Sequence, residues 1–244
     1  MTMSPLLAAE LCVAAYSPID QAEVIAARHN LAFNFFDVGG TQSYLFFDDK
    51  RVILAYRGTE LTDIRDILAD FTAWKTDGPF GRVHRGFQDA LDRVWTQQVI
   101  QLDKHSGKRL FLTGHSLGGA LATLAASWLV NNQQGGNRPK RLITFGSPRV
   151  GNYTFTRTLE ERFQGHDRFV NCSDLVPRMP RLNYYHTGWL RYFDIDGQLH
   201  KNPSGPMRLW DRLKSYSRNR RAAVHRHGMQ QYYFYTKRWF PHAS

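Results

Sequence analysis

The chain has 244 residues, of which 42% are hydrophobic and 14% aromatic, enough to bury the core of one ordinary α/β domain. No run approaches the roughly eighteen apolar residues that a membrane-spanning helix requires, and the apolar start lacks the basic opening of a signal peptide. Two cysteines are too few for a disulfide framework, and a single Cys12–Cys172 disulfide is the alternative that the sequence does not decide. We therefore expect one domain over residues 1–244, cytoplasmic or exported without a visible signal peptide.

The net charge of +11 is concentrated in the C-terminal quarter. Residues 1–177 carry 19 Lys and Arg against 18 Asp and Glu, whereas residues 178–244 carry 13 against three. Such a segment favours peripheral contact with an anionic lipid surface, and a solvated basic face without a partner is the alternative. Nucleic acid is not expected as a partner, because neither a zinc-finger nor a helix-turn-helix signature occurs there.

In chain order, the predicted elements alternate between strands and helices after an initial amphipathic helix. Helices are expected at 6–15, 87–102, 120–129 and 155–163. An antiparallel hairpin is expected from strands at 43–47 and 52–56, and further strands are expected at 109–113, 142–145 and 168–171. Strands that alternate with helices in this way predict βαβ units and a mostly parallel central sheet flanked by helices. The ligand site of such a sheet lies beyond the carboxyl ends of its strands.

The strongest functional signal is the segment GHSLG at residues 114–118, which lies between a strand-like run and a stretch of helix formers. This context predicts a nucleophile elbow, in which a sharp strand-to-helix turn strains the backbone of Ser116 and lifts its hydroxyl clear of the sheet. Gly114 and Gly118 meet the requirement for glycine-sized neighbours on either side of the serine. A plain glycine-rich turn is the alternative.

A serine nucleophile needs a histidine base and an orienting carboxylate, which follow it in the chain order Ser, acid, His in α/β-hydrolases. Asp174 is the best-placed acid because it follows a predicted strand and precedes Pro177, and an Asx turn is the alternative. His227 is the predicted base. His225 is the alternative, because the two histidines are nearly adjacent and their spacing from Asp174 along the chain cannot distinguish them. A metal site at these histidines is disfavoured, since no carboxylate or cysteine lies nearby at a ligand-like spacing, and no cofactor or metal is expected.

The transition state of acyl transfer carries an oxyanion, which needs preorganised N–H donors. One donor is expected from Leu117, the residue after the nucleophile, and the second from an early loop. Thr59 is the predicted second donor, because Gly58 lets the backbone approach a substrate closely. An ordinary turn after a hairpin strand is the alternative at this position.

Five sequence blocks resemble the class 3 lipases, fungal-type triacylglycerol lipases of the α/β-hydrolase fold with feruloyl esterases and phospholipases A1 among their relatives. The blocks are YRGT (56–59), VHRGF (83–87), TGHSLGGA (113–120), FGSPRVGN (145–152) and VNCSDLVP (170–177). The resemblance implies Ser116 as nucleophile, Asp174 as acid, His227 as base, and Thr59 with Leu117 as oxyanion hole. The cysteine bridges of secreted fungal members have no counterpart here, so a bacterial-type, disulfide-free relative is the better comparison.

The expected function is that of a serine carboxylester hydrolase, a lipase or esterase that cleaves acylglycerols or other carboxylic esters through an acyl-enzyme on Ser116. Phospholipase A1 or feruloyl-type esterase activity at the same site is an alternative, as is a catalytically silent α/β-hydrolase that binds lipid or a partner protein. The family places a lid helix between Thr59 and His84, and His84 itself is implied to be a structural residue near the site. A short lid is expected over about residues 60–70, where apolar residues fall at helical spacing, with ordinary packing as the alternative because the segment is strongly charged.

Overall fold

The structure is a computed structural model that describes residues 2–58, 74–132, 137–218 and 227–242. The strands of these ranges are β1 (Ala32–Val38), β2 (Thr41–Phe47), β3 (Arg51–Tyr56), β4 (Lys75–Gly78), β5 (Gly81–His84), β6 (Arg109–His115), β7 (Pro139–Phe145), β8 (His166–Asn171), β9 (Trp189–Phe193) and β10 (Leu199–Lys201). The helices are α1 (Pro5–Tyr16), α2 (Ile19–Arg28), α3 (Arg85–Asp103), α4 (Leu117–Asn131), α5 (Tyr153–Arg162), α6 (Gly205–Arg218) and α7 (Met229–Trp239).

Eight of the described strands form one mixed sheet in the order β1-β2-β3-β6-β7-β8-β9-β10, while β4 and β5 pair separately. The strands from β3 through β6, β7 and β8 to β9 pair in parallel. β2 and β3 form the predicted antiparallel hairpin, β1 adds a third antiparallel strand, and β10 closes the other edge. The predicted α/β-hydrolase class, with its mostly parallel sheet and N-terminal hairpin, is confirmed.

The sheet separates two apolar cores, because successive side chains of a strand point to opposite faces. Leu54 and Leu112 face one core, which α3, α4 and α5 cover. Ile53 and Phe111, each one residue earlier, face the other, which α1, α2 and α7 cover. Helices on both faces explain why the central strands carry long apolar runs rather than alternating polar residues.

The first helix is a helix as predicted, but the prediction that it is amphipathic was wrong. Nine of the 12 residues of α1 are buried, because the helix lies between the sheet, α2 and α7 and has no open face. Its one charged side chain, Glu10, accepts a hydrogen bond from His29 Nε2 at 2.8 Å. Within the described ranges, none of the helices combines the length and the apolar character needed to cross a lipid bilayer.

Candidate active site

The turn between β6 and α4 has the geometry of the predicted elbow. Ser116 has φ 57° and ψ −130°, a left-handed backbone conformation that is strained for a residue with a side chain. A Cβ on Gly114 would overlap the carbonyl group of Gly118, and a Cβ on Gly118 would overlap the carbonyl group of Tyr56. The Ser116 N–H donates to the Phe145 carbonyl at 3.0 Å and so ties the turn to β7.

The structure brings the three predicted residues Ser116, His227 and Asp174 into one hydrogen-bonded chain. His227 Nε2 lies 2.7 Å from Ser116 Oγ, and His227 Nδ1 lies 2.8 Å from Asp174 Oδ2. A carboxylate only accepts, so Nδ1 carries the proton of the neutral ring and Nε2 accepts from the serine hydroxyl. All three residues are buried, with at most 3% of their surface exposed. This arrangement can remove a proton from the serine as it attacks and return it to a leaving group.

The Asp174 carboxylate is held by two further donors besides His227. The Tyr232 hydroxyl donates to Asp174 Oδ2 at 2.7 Å, and the Val176 N–H donates to Oδ1 at 2.9 Å. The Tyr232 oxygen in turn accepts from the Asn171 N–H at 2.9 Å. Burial, followed by the charge of Asp174, raises the pKa of Tyr232 well above its ordinary value, so the hydroxyl keeps its proton. Sequence reasoning missed this hydroxyl contact, because Tyr232 and Asp174 are 58 positions apart and no local pattern joins them.

The backbone of His227 is held from α1 through the histidine that precedes the serine. His115 Nε2 lies 2.6 Å from the carbonyl oxygen of His227, and His115 Nδ1 lies 2.8 Å from the Tyr16 hydroxyl. Burial, with the neighbouring His227, lowers the pKa of His115 well below its ordinary value, so the ring is neutral. Nε2 therefore donates to the carbonyl, and Nδ1 accepts from Tyr16. Sequence reasoning missed this contact, because Tyr16 and His115 are 99 positions apart and no local pattern joins them.

A glycine closes the rear of the site. Gly146 follows β7 with φ 58°, and a Cβ there would stand 3.0 Å from Asp174 Oδ2 and 3.1 Å from the His227 ring. The left-handed conformation and the close approach both require glycine at this position. The close packing of the site therefore explains why the second residue of the block FGSPRVGN (145–152) is glycine.

The predicted oxyanion donors differ in how far the structure describes them. Leu117 is the first residue of α4, so its N–H has no carbonyl of a preceding turn to bond and stands at the positive end of the helix dipole. Thr59, the predicted lid at 60–70 and the alternative base His225 lie outside the described residues. His84 is buried and packs against Phe87, with ring centroids 4.2 Å apart.

The placement of the metal-ligating residue types and of the two cysteines in the described residues bears on whether the site holds a metal or a disulfide. The described part of the chain contains no group of three or more His, Cys, Asp or Glu side chains placed to hold a metal ion. Cys12 and Cys172 are free thiols, so the disulfide that the sequence left open is not formed. Burial raises the pKa of Cys12 to about 12, which keeps it a thiol beside Thr113 in the core.

The chain is similar to a known protein family, to curated proteins and to solved structures. A family model described as Lipase (class 3) matches residues 53–184, more than half of the chain. A lipase of Rhizopus niveus is 34% identical over 166 residues, covering 62% of this chain and 42% of that protein. A triacylglycerol lipase of Arabidopsis thaliana is 30% identical over 209 residues, covering 63% of this chain and 40% of that protein. The chain thus spans about two fifths of the length of these curated relatives. The solved triacylglyceride lipase of Rhizomucor miehei matches 81% of this chain and 82% of its own with a TM-score of 0.72, at 23% identity.

Proposed function

Since the chain belongs to the class 3 lipase family, we propose that it is a serine carboxylester hydrolase that cleaves acylglycerols or related carboxylic esters. The observation that carries this proposal is the continuous hydrogen-bonded chain from Ser116 through His227 to Asp174 at a strained strand-to-helix turn. A serine that served only to pack the turn would not require a buried histidine and a buried carboxylate in line behind it.

In the proposed reaction the Ser116 hydroxyl attacks the ester carbonyl while His227 Nε2 takes its proton. His227 then protonates the alkoxide oxygen of the leaving alcohol, and an acyl-enzyme remains on Ser116. Water, deprotonated by the same nitrogen, releases the carboxylic acid and restores the serine. Asp174 stays ionised throughout, orients the ring through Nδ1 and stabilises the imidazolium.

The negative charge of the tetrahedral intermediate requires donors beside Ser116. The Leu117 N–H is proposed as one donor, which its position at the start of α4 supports. Thr59 is proposed as the second donor, by its N–H and its hydroxyl, on the sequence argument and the family resemblance. The proposed reaction uses no cofactor, because its nucleophile, its base and its oxyanion donors are all protein groups.

The proposal is tested by Ser116→Ala with p-nitrophenyl butyrate as substrate. We expect hydrolysis to fall to the background rate, since the nucleophile is lost, while the far-UV circular dichroism stays unchanged. Ser127→Ala is the matched control, because Ser127 is buried on the same helix but bonds only the Leu124 carbonyl of its own turn. Turnover retained in Ser116→Ala would disprove the assignment of the nucleophile.

A silent α/β-hydrolase that only binds lipid or a partner protein is separated from an enzyme by a fluorophosphonate probe. Covalent capture needs an activated serine, so we expect labelling of the wild type and none of Ser116→Ala. Initial rates with triglycerides, phospholipids and feruloyl esters of graded acyl chain length then distinguish a lipase from a phospholipase A1 or a feruloyl-type esterase. A jump in rate above the solubility limit of the ester supports action at an oil interface.

The proposed partner outside the site is a lipid surface. Residues 178–244 carry 13 basic and three acidic side chains, and a cation near an anionic membrane contributes about 1 kcal/mol to binding. We propose that this C-terminal quarter makes peripheral contact with anionic lipid, which would bring the ester substrate and the enzyme to the same surface.

A further inference from the structure

Helix α6 presents three large apolar side chains to solvent and buries two polar side chains against the protein. Leu209, Trp210 and Leu213 lie at spacings of one and four residues, and 52%, 63% and 53% of their surfaces are exposed. On the opposite face, Asp211 and Ser215 are buried. A surface helix normally buries its apolar stripe, so this helix is inverted with respect to the core.

The inner face of α6 is held by hydrogen bonds. Asp211 Oδ2 accepts from the Tyr192 hydroxyl at 2.7 Å, and Asp211 Oδ1 accepts from the Ile195 N–H at 3.0 Å. The hydroxyls of Ser215 and Ser173 are 2.7 Å apart. These contacts to buried partners fix the rotation of the helix, so the outward direction of its apolar residues is set by the fold.

The exposed charge that α6 itself carries is of one sign. The sequence of α6, residues 205–218, contains four Arg and Lys and a single acidic residue, Asp211, whose carboxylate is turned inward. On the outer face the Lys214 ammonium lies over the Trp210 ring, 5.6 Å from its centroid. An exposed stripe of Leu and Trp flanked by cations is the pattern of helices that lie in the interface of anionic membranes.

The position of α6 relates this face to the reaction. Ser173, which bonds Ser215, immediately precedes Asp174 in the loop after β8. The C-terminal half of α6 therefore lies beside the loop that carries the proposed catalytic acid, at the carboxyl edge of the parallel strands.

We propose that the outer face of α6, made by Leu209, Trp210, Leu213 and Lys214, docks onto the surface of an anionic lipid bilayer. The three apolar side chains enter the region between headgroups and acyl chains, and the cations remain among the anionic headgroups. The inference deepens the proposed function and rests on it for the choice of lipid as the partner. It places the membrane contact on one helix rather than on the basic C-terminal quarter as a whole.

The test is binding of the Ser116→Ala protein, which cannot consume lipid through the proposed nucleophile, to phosphatidylcholine vesicles with and without phosphatidylserine. Co-sedimentation is expected to show binding that strengthens with phosphatidylserine. Adding Leu209→Ser, Trp210→Ser and Leu213→Ser together is expected to weaken binding about tenfold or more, because the apolar anchors are lost. These side chains are exposed, so the thermal unfolding midpoint should remain that of the parent.

Matched controls come from other helices of the chain. Ile19, Val24 and Ile100 are 52%, 53% and 55% exposed, so their joint replacement by Ser removes comparable apolar surface away from α6. This control is expected to bind like the parent. Lys237→Gln is the control for Lys214→Gln, since each lysine lies over an aromatic ring of its own helix. Only Lys214→Gln should weaken binding, by about fivefold.

Several results would overturn the docking. These are an absence of binding to phosphatidylserine vesicles by the Ser116→Ala parent, undiminished binding by the α6 triple variant, and an equal loss in the control triple variant. A dimer that depends on the same three side chains, without vesicle binding, would assign the face to a second copy of the chain. Hydrolysis of p-nitrophenyl butyrate is measured separately with Ser116 intact. The α6 variant should retain it, and an inactive wild type whose Ser116→Ala form still docks would refute the catalytic proposal alone.

Discussion

At Asp174, three donors from two parts of the chain converge on one buried carboxylate. The Val176 N–H belongs to the same loop, whereas His227 and the Tyr232 hydroxyl come from the C-terminal region. Hydrogen bonds to a charged acceptor are worth about 1.5–3 kcal/mol each when buried. Tyr232 does not contact the serine, so we regard it as a positioning residue that acts through Asp174.

Replacing Tyr232 by Phe should lower kcat for p-nitrophenyl butyrate about tenfold, with little change in KM. The change removes a donor to Asp174 together with the hydroxyl oxygen to which the Asn171 N–H donates, so the imidazole is held less firmly. The pH dependence of kcat should also shift, which loss of packing alone would not cause. Tyr233→Phe is the neighbouring control and should behave as wild type. An unchanged kcat in Tyr232→Phe would show that the other two donors suffice.

At the scale of elements, the turn between β6 and α4 depends on the close approach of three backbone segments, those of β3, β6 and α4. α4 approaches the sheet so closely that the backbone at Gly118 touches the carbonyl group of Tyr56 in β3. Gly119 is similarly close to the side chain of Ser147. These contacts fix the start of α4 and with it the backbone of Leu117, whose N–H is the proposed oxyanion donor.

Gly118→Ala should therefore destabilise the protein severely, by about 3 kcal/mol or more, because the added methyl meets backbone that cannot move aside. Urea unfolding, or the yield of soluble protein, measures the effect. Gly205→Ala at the start of α6 is the control, since a Cβ there meets nothing within 4 Å. A Gly118→Ala protein with wild-type stability would mean that the elbow is looser than described.

The residues predicted from sequence were those whose signals are local. Ser116 and its glycines lie in one motif, and the hairpin and the parallel sheet follow from short apolar runs with turn residues between them. What the sequence left unseen depends on distant contacts. The burial of α1 on all sides and the bond from Tyr16 to His115 arise only when the helix meets the sheet. The outward face of α6 is another such case, since periodicity shows that a helix has an apolar stripe but not which way the stripe points.

At the scale of the whole molecule, three histidine side chains stay neutral in the folded chain. Burial lowers the pKa of His166 to about 3, and it lowers the pKa values of His115 and His186 well below the ordinary 6.5. His166 is satisfied as a neutral ring, with Nε2 3.0 Å from Thr144 Oγ1 and Nδ1 2.9 Å from Thr187 Oγ1. Unfolding releases all three rings to water, where they bind protons below pH 6.5.

Stability should therefore fall as the pH is lowered through 6.5. The unfolded chain then binds more protons than the folded chain, so each of the three histidines contributes up to about 1.4 kcal/mol of lost stability per pH unit. Between pH 6.5 and 5 most carboxylates are still ionised, which isolates the histidine effect. Urea unfolding at pH 7, 6 and 5 measures the slope, and His166→Gln should reduce it by about a third. A slope that His166→Gln leaves unchanged would contradict this account.

The depth of Ser116 has a kinetic consequence. Only 3% of its surface is exposed in the conformation described, so we expect an ester to reach the hydroxyl only after neighbouring groups have moved. Every measured rate is then an intrinsic rate multiplied by the fraction of molecules that are open at that moment. A change that alters only this open fraction would scale kcat/KM for all esters by one common factor, whereas a change in the reacting groups would alter some esters more than others.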